Sequence, residues 1–274
     1  MISLLNTRPQ PQALTRAIEQ AWSSEVRVIE APLQKLVALP LEQSLKSSFS
    51  WLDADIWVFV SANAVAFFSQ ALQQHQLPSP PSEGKEGAEG VALVAVGQAT
   101  WQSLASLGWA GLQPIPQRYD SEGMLALPIF NQVSGKRVAI VRGEIGRDWL
   151  AEQLSQQGAA VRFYPIYRRD ALPLDCTAWQ AWLAPLSEPS SSYWVLLTSQ
   201  ENAQIWWQHY QAWCQLVNDK VVVGVIALTP TIADCLNRLG FNGPQRVCEN
   251  ASQSSMLNQI RLLLSRPLHE ENTP

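Results

Sequence analysis

The second half of this chain repeats the pattern of the first half, block by block, at an offset of roughly 135 residues. Four pairs of segments match in the same order: 4–8 with 138–142, 57–64 with 194–203, 91–109 with 221–241, and 124–125 with 256–257. Solenoid repeats recur every ~20–50 residues, so the longer spacing indicates a duplicated unit of domain size. The repeat therefore predicts two similar units.

The length and composition agree with two globular units. A chain of 274 residues exceeds the ~100–200 residues of a typical domain. The hydrophobic fraction of 47% and charged fraction of 15% are typical of a folded protein. The net charge of −4 argues against nucleic-acid binding, which needs a basic surface that displaces counterions from phosphates. We expect no nucleic-acid partner, and an anionic ligand would need a local cluster of cations.

Targeting and metal-binding patterns are missing from the sequence. The first twelve residues contain Arg8, Pro9 and Pro11 instead of an apolar signal core. The longest apolar run, 221–228, is far shorter than the ~20 residues that span a bilayer. The four cysteines lack the spacing of a zinc site or a disulfide framework. We expect a soluble, cytoplasmic protein with no metal site and no membrane partner.

Short β-branched runs alternate with longer stretches of helical period. This alternation predicts an α/β fold in which helices cover both faces of a parallel sheet. Strands are predicted over 2–5, 26–29, 56–60, 137–141, 161–164, 194–197 and 221–227, and helices over 12–22, 64–75, 147–157, 201–216 and 231–239. Gly158 and Gly240 stand where helix C-caps are expected. Segments 77–90 and 185–192 have the composition of loops.

Small polar residues follow the predicted strands, at the edge where doubly wound sheets bind ligands. The residues at these positions are Ser61, Asn63, Gly97, Thr100, Thr198, Ser199, Thr229 and Thr231. Each position is also an ordinary helix N-cap signal, worth ~1 kcal/mol, and for any one of them the cap interpretation is the stronger. Because they recur at matching places in both halves, an anion-binding cleft between two facing rims remains an alternative.

Arginines and tyrosines supply the remaining candidates. Segment 142–147 is a glycine-bearing turn with an arginine at each end, and it matches neither nucleotide-binding fingerprint. The cations expected near the two rims are Arg8, Arg142, Arg147, Arg168 and Arg169. A tyrosine within 164–169 offers a neutral O–H donor, and in a chain with three histidines it is a candidate acid.

These blocks resemble the uroporphyrinogen-III synthase family over nearly the whole chain. The resemblance is carried by Thr7-Arg8-Pro9 and by segments 55–65, 95–100, 121–125, 135–144 and 164–169. It implies two flavodoxin-like α/β domains with parallel sheets, a two-stranded linker and an active-site cleft between the domains. Mapped onto this chain, one domain would comprise residues 1–35 with 171–274 and the other residues 36–170.

The resemblance also implies the reaction. The substrate would be hydroxymethylbilane, whose terminal hydroxyl leaves as water to give an azafulvene. Attack on the substituted position of the last pyrrole, fragmentation and reclosure would invert that ring and give uroporphyrinogen III. No metal or organic cofactor is implied, and the protein would act as a monomer, with a transient contact to the upstream hydroxymethylbilane synthase as a possible further partner.

The family pattern places the catalytic acid at Tyr167 and a ligand contact at Thr100. Ile232 stands where the internal repeat would place a second threonine, with Thr229 and Thr231 nearby. The predicted substrate-binding residues are Thr7, Arg8, Ser61, Asn63, Ala64, Gly97, Thr100, Arg142, Gly143, Thr198, Ser199, Thr229 and Thr231. The alternative function is a non-enzymatic, two-domain cytosolic binding protein for a small molecule, with the same cleft but no turnover.

Overall fold

The computed structural model describes residues 1–40, 53–78, 91–184, 192–217, 221–250 and 252–265. Its contacts divide the chain into two compact units. Unit 1 contains Met1–Lys35 and Asp170–Pro274, and unit 2 contains Leu36–Arg169. The predicted loops at 77–90 and 185–192 lie almost entirely outside the described residues.

Unit 1 contains a five-stranded sheet in the order β10-β9-β8-β1-β2, and each of its neighbouring strand pairs is parallel. Its strands are β1 (Ile2–Asn6), β2 (Val26–Glu30), β8 (Ser192–Leu197), β9 (Val223–Ala227) and β10 (Gln245–Val247). Its helices are α1 (Gln12–Trp22), α6 (Cys176–Leu183), α7 (Gln200–Val217), α8 (Pro230–Arg238) and α9 (Gln253–Ser265). When the five strands of this unit are numbered along the chain, their spatial order in the sheet is 2-1-3-4-5, as in flavodoxin-like sheets.

Unit 2 contains a second five-stranded sheet in the order β3-β7-β6-β4-β5. Its strands are β3 (Gln34–Ala38), β4 (Ile56–Phe59), β5 (Ala92–Ala95), β6 (Arg137–Gly143) and β7 (Ala160–Ala171). Its helices are α2 (Ala62–Gln74), α3 (Gln98–Ser106), α4 (Ser121–Leu125) and α5 (Trp149–Gln156), with a 3₁₀ turn at Pro128–Phe130. Strands β7, β6, β4 and β5 are parallel neighbours, and Leu93 makes a further parallel bridge to Leu112.

Each sheet is buried on both faces because alternate residues of its strands enter different apolar clusters. In β4, Trp57 and Phe59 pack with α2, whereas Ile56 and Val58 pack with α5. Unit 1 follows the same rule, with α6, α7 and α8 covering one face and α1 and α9 the other. The prediction of an α/β fold with parallel sheets covered on both sides is thus confirmed.

The two sheets do not correspond to the two sequence halves. Unit 1 combines β1 and β2 from the first half with β8, β9 and β10 from the second. Unit 2 combines β4 and β5 from the first half with β6 and β7 from the second. The boundary between the units falls within β3 and within β7, which are neighbours in one sheet. Repeated segments therefore occupy matching places in different sheets: β1 matches β6, β4 matches β8, and β5 matches β9.

Most predicted elements are present, with shifts at their ends. Gly158 and Gly240 follow α5 and α8 at φ +88° and +90°, as the C-cap prediction requires. The residue-based prediction ended a strand at Tyr164, whereas β7 continues to Ala171. The missing N–H of Pro165 does not end the strand because its partner is Arg142, where the register between β6 and β7 shifts.

Candidate active site

The carboxyl ends of β4 and β6, together with residues along β7, line a pocket of about 340 Å³ in unit 2. This is the edge of a parallel sheet at which α/β proteins bind ligands. Its lining comprises Val60, Ser61, Val96, Asp120, Ser121, Met124, Ile140, Arg142, Gly143, Ile145, Gly146, Arg147, Leu150, Ala151, Phe163, Tyr167 and Arg169. A larger open groove of about 660 Å³ lies at the amino ends of β4 and β5. We assign the site to the smaller pocket because of its position at the carboxyl edge.

Tyr167 is fixed on several sides of its ring. Only 2% of the residue is exposed, and its hydroxyl lies 3.3 Å from Ser61 Oγ. Its ring stacks on Phe67 at a centroid distance of 5.3 Å. A Cβ atom on Gly143 would come within 3.0 Å of the ring, so glycine there allows the ring to pack on the β6 backbone. The Tyr167 carbonyl accepts a hydrogen bond from the Glu144 amide at 2.8 Å.

The side chain of Arg142 is enclosed by the turn that follows β6. Its Nε donates to the Gly143 carbonyl at 3.1 Å, and its Nη1 lies 2.5 Å from Asp148 Oδ1. The guanidinium lies over the Phe163 ring at 4.6 Å. A Cβ atom on Gly146 would lie 2.9 Å from Nη2. The residues from Gly143 to Asp148, called the 143–148 loop below, therefore wrap around this cation.

Two further arginines line the pocket and are exposed. The Arg169 guanidinium lies 5.7 Å from the Tyr167 ring centroid. The Arg147 guanidinium donates to Glu122 Oε1 at 3.0 Å in a pair that is open to solvent. Both cations can therefore approach an anionic ligand in the pocket.

Asp120 anchors the first turn of α4 beside the same pocket. Its Oδ1 accepts from the Gly123 amide at 2.7 Å, and its Oδ2 accepts from Arg118. The backbone hydrogen bond from Gly123 is the main reason that the pKa of Asp120 is lowered, and Arg118 adds to the effect. Asp120 is thus an ionised helix cap at neutral pH.

The other predicted residues of unit 2 lie at the starts of α2 and α3. Ser61 caps α2 by accepting from the Ala64 amide at 3.0 Å, and Ala64 is fully buried. Asn63 is partly buried in the first turn of α2. Gly97 is the N-cap of α3, where a Cβ atom would lie 2.9 Å from the Tyr119 ring. Thr100 is 3% exposed in the first turn of α3.

In unit 1 the predicted residues Thr7, Thr198 and Ser199 meet around Asn202. The buried Thr7 hydroxyl lies 2.5 Å from the Leu196 carbonyl and 2.8 Å from Asn202 Oδ1. Ser199 caps α7 by accepting from the Asn202 amide, and the Thr198 amide donates to Asn202 Oδ1. These contacts join the end of β1 to the start of α7.

Arg8 and Arg142 occupy similar places, just after the end of β1 and near the end of β6, but the surroundings of the two side chains differ. Within the described residues its guanidinium contact is a long one, 4.0 Å from Met256 Sδ. Burial lowers the pKa of Arg8, although a guanidinium stays charged at any physiological pH. Arg8 therefore differs from Arg142, whose charge is paired with Asp148.

Thr229 and Thr231 lie at the start of α8. Their hydroxyl oxygens are 2.8 Å apart, and Thr229 is the N-cap residue. Ile232 is buried at the position that matches Thr100 in unit 2. The structure thus places both threonines next to the position where the second threonine was expected.

The sequence from residue 13 to residue 258 matches the family described as uroporphyrinogen-III synthase HemD. The chain belongs to the uroporphyrinogen-III synthase family. This membership confirms the sequence-based prediction of a tetrapyrrole-cyclising enzyme of the lyase class, and it does not favour the non-enzymatic alternative.

Curated relatives named uroporphyrinogen-III synthase are similar to this chain over most of its length. The uroporphyrinogen-III synthase of Escherichia coli K12 is 26% identical over 274 residues, which cover 95% of this chain and 100% of the relative. The Salmonella typhimurium enzyme is 33% identical over 181 residues, which cover 64% of this chain and 68% of the relative. The similarity to the E. coli synthase therefore includes both units.

Solved uroporphyrinogen-III synthase structures share the fold. The Helicobacter pylori synthase has a TM-score of 0.60 at 15% identity, covering 96% of this chain and 100% of that one. A mutant synthase from Thermus thermophilus has a TM-score of 0.57 at 15% identity, covering 97% and 99%. At this level of identity the structures support the α/β fold rather than individual contacts.

The pocket of this synthase family member brings together six of the predicted residues: Ser61, Arg142, Gly143, Arg147, Tyr167 and Arg169. The unit 1 residues form a separate group around Asn202 and α8. Their contacts with substrate stay predictions. Sequence reasoning missed Asp148, Phe163, Ile145 and Phe67. Asp148 precedes α5 and has the signature of an N-cap, yet its carboxylate makes no capping hydrogen bond and pairs with Arg142 instead.

Within the described residues, no helix combines the length and apolar character needed to cross a membrane.

Proposed function

We propose that this protein converts hydroxymethylbilane into uroporphyrinogen III, closing the macrocycle with inversion of the last pyrrole and release of water. The observation that carries the proposal is the family match over residues 13–258, which includes Tyr167 and the whole pocket around it. The reaction needs a proton donor at the leaving hydroxyl and a site that fixes a reactive cation in one geometry.

Tyr167 is the proposed proton donor. Tyr167 is one of the residues that line the pocket, and its ring packs against Phe67 and Gly143. Proton transfer to the terminal hydroxyl of the substrate would release water and leave a tyrosinate. The Ser61 hydroxyl at 3.3 Å and the Arg169 guanidinium near the ring would stabilise that negative charge. The proton lost from carbon when the last bond forms restores the tyrosine.

Exposed arginines of unit 2 are the proposed contacts for the substrate carboxylates. Arg147 and Arg169 line the pocket and are accessible, and charged hydrogen bonds of this kind contribute roughly 1.5–3 kcal/mol. Ile145 lines the same pocket and is 80% exposed, and Phe163 is 38% exposed. These apolar side chains suit the pyrrole rings, so the pocket matches a substrate with apolar rings and anionic substituents.

Positioning and electrostatics account for the product that we propose. In water the same substrate closes without inversion to the type I isomer, so the enzyme must favour attack at the substituted position of the last ring. A preorganised site lowers that barrier by fixing the reacting atoms and excluding water. We propose that the protein does this as a monomer and without a cofactor. Transient contact with hydroxymethylbilane synthase would shorten exposure of the substrate to water.

The test is to generate hydroxymethylbilane in situ with its synthase, add the purified protein, and separate the oxidised uroporphyrin isomers by chromatography. We expect predominance of type III. Type I alone, from protein shown to be folded by circular dichroism, would reject the synthase proposal. Repeating the assay over a range of ratios of the two proteins tests transfer, because direct hand-over predicts little type I even when this protein is scarce.

A further inference from the structure

Arg142 is a cation whose surroundings are built by its own neighbours in sequence. Its side chain is 9% exposed, whereas that of its partner Asp148 is 58% exposed. The guanidinium contacts Asp148, the Gly143 carbonyl and the Phe163 ring face. Gly146 leaves the space that Nη2 occupies. These contacts fix the shape of the 143–148 loop from inside.

The same loop is joined to Tyr167 at two points. The Glu144 amide donates to the Tyr167 carbonyl at 2.8 Å, and Gly143 packs against the Tyr167 ring. Gly143 pairs with Tyr167 at the register shift, where the regular ladder between β6 and β7 is interrupted. Because the ladder is weakened there, the loop contributes much of what sets the position of Tyr167.

We propose that the Arg142–Asp148 pair is a positioning device for the Tyr167 hydroxyl, with Asp148 and Gly146 as further positioning residues for the reaction. This inference rests on the proposed function, in which Tyr167 donates a proton to the substrate. Arg142 then acts by fixing the 143–148 loop, and the exposed Arg147 and Arg169 contact the substrate carboxylates.

Burial favours this role over a direct contact between Arg142 and the substrate. The Asp148 carboxylate and the Gly143 carbonyl already accept hydrogen bonds from two of its N–H groups, and the Phe163 ring covers one face of the planar guanidinium. A substrate carboxylate would have to displace Asp148 from a bidentate-capable cation that is largely closed to solvent. Loop positioning needs no such exchange.

The test is a double-mutant cycle with Asp148→Ala and Tyr167→Phe. A misplacement of about 1 Å can cost on the order of a hundredfold in rate, so Asp148→Ala is expected to lower kcat about tenfold or more, with KM changed less than about twofold. In the Tyr167→Phe background, where the hydroxyl is gone and the stacked ring remains, the same substitution should change kcat less than about twofold.

Two results would overturn the inference. One is an unchanged kcat with a raised KM, which would make Arg142 a substrate contact that Asp148 supports. The other is a decrease in kcat caused by Asp148→Ala that is as large in the Tyr167→Phe background as in the wild type, because the ion pair would then act independently of the hydroxyl. Gly146→Ala is a second variant that displaces the guanidinium while leaving both charges in place, and it should give the same dependence on Tyr167.

Asp55→Ala is the matched control. Asp55 pairs with Arg137 at 3.1 Å at the start of β6. The substitution therefore removes another arginine–aspartate ion pair, from the opposite end of the same strand. We expect it to leave kcat and KM unchanged. Thermal unfolding followed by circular dichroism sets an assay temperature at which every variant is folded.

A readout that needs no turnover separates this inference from the proposed function. The chain has five tyrosines, so 3-fluorotyrosine labelling gives few ¹⁹F resonances, and Tyr167→Phe assigns the one of interest. We expect the Tyr167 resonance to shift or broaden in Asp148→Ala and to stay in place in Asp55→Ala. An unmoved resonance in Asp148→Ala rejects the positioning role even if the wild-type protein forms type III.

Discussion

Six of the residues predicted to bind substrate are buried: Gly97, Gly143, Thr7 at 0% exposure, Ala64 at 0%, Thr100 at 3% and Arg142 at 7%. Thr7, Ala64 and Arg142 each make hydrogen bonds within their own unit. Hydrogen bonding inside the protein therefore separates these three residues from residues, such as Arg169, that are open to a ligand.

Thr7→Val tests this separation at one residue. Valine has nearly the same shape but no hydroxyl, so the Leu196 carbonyl and Asn202 lose a buried partner. We expect the free energy of unfolding to fall by about 1–3 kcal/mol, measured by urea denaturation. Thr177→Val, at an exposed position of α6, is the control and should change stability by less than about 0.5 kcal/mol. Equal effects of the two substitutions would contradict a structural role for Thr7.

Tyr167→Phe tests the proposed acid. General acid catalysis contributes typically 10²–10⁴-fold, so we expect turnover to type III product to fall by about that factor, while the stacked ring keeps the pocket intact. Tyr164→Phe is the control, because Tyr164 lies in the apolar core of unit 2, where burial raises its pKa. A loss below about fivefold in Tyr167→Phe would assign the reaction to backbone preorganisation instead.

At the scale of elements, the pocket depends on the short helix α4. This helix has five residues, and Asp120, its cap, lines the pocket beside Ser121. A helix this short has little intrinsic stability, so the cap and the packing of Met124 maintain it. Loss of the cap would disturb one wall of the pocket.

The Asp120 cap predicts a pH dependence of stability. The folded-state pKa of Asp120 lies below its ordinary value of 3.8, mainly because of the backbone hydrogen bond from Gly123. The unfolded state therefore takes up the proton first as pH falls. The contribution of the ionised Asp120 to the free energy of unfolding is fully present at pH values above the ordinary pKa of the group. It is lost as the pH falls through the pKa that Asp120 has in the folded state.

Urea denaturation of the wild type and of Asp120→Asn, from about pH 6 down to about pH 3, measures this contribution. The stability difference between the two proteins should shrink as the pH falls. A difference that stays constant across the range would show that the charge of Asp120 does not contribute.

At the scale of the whole molecule, each sheet takes strands from both sequence halves. The unit 2 sheet lies in one continuous segment, Leu36–Arg169, apart from the first two residues of β3 and the last two of β7, whereas unit 1 needs two segments of the chain. Both faces of the unit 2 sheet are covered by helices of the same segment. That the two units are separate domains stays a prediction.

We expect the isolated Leu36–Arg169 segment to unfold cooperatively, because it contains β4, β5 and β6, most of β3 and β7, and both apolar clusters. Thermal unfolding followed by near- and far-ultraviolet circular dichroism measures this. A segment that ends at residue 136 lacks β6 and β7 and is the control, which should not fold. Absence of a cooperative transition in the longer segment would show that unit 2 depends on the rest of the chain.

Local patterns were enough to predict much of the fold. Helix α1 was predicted at its observed bounds, and Gly158 and Gly240 were assigned correctly as C-caps, because apolar period and glycine geometry act over a few residues. Tyr167 was reached through the family resemblance, and its role stays a prediction. Asp148 was missed because an aspartate before a helix satisfies a local rule, while its actual partner depends on how the 143–148 loop folds back.

The sequence by itself determined the α/β class, the order of most strands and helices, and membership in a synthase family, since all three are encoded in patterns along the chain. Only the tertiary structure decided how Arg142 is enclosed, where β6 and β7 shift register, and how β10 and α9 complete unit 1. The physical reason is that these features depend on contacts between residues far apart in the chain or on the path of a loop. Such contacts form only when burial and hydrogen bonding between whole elements outweigh the entropy of bringing them together.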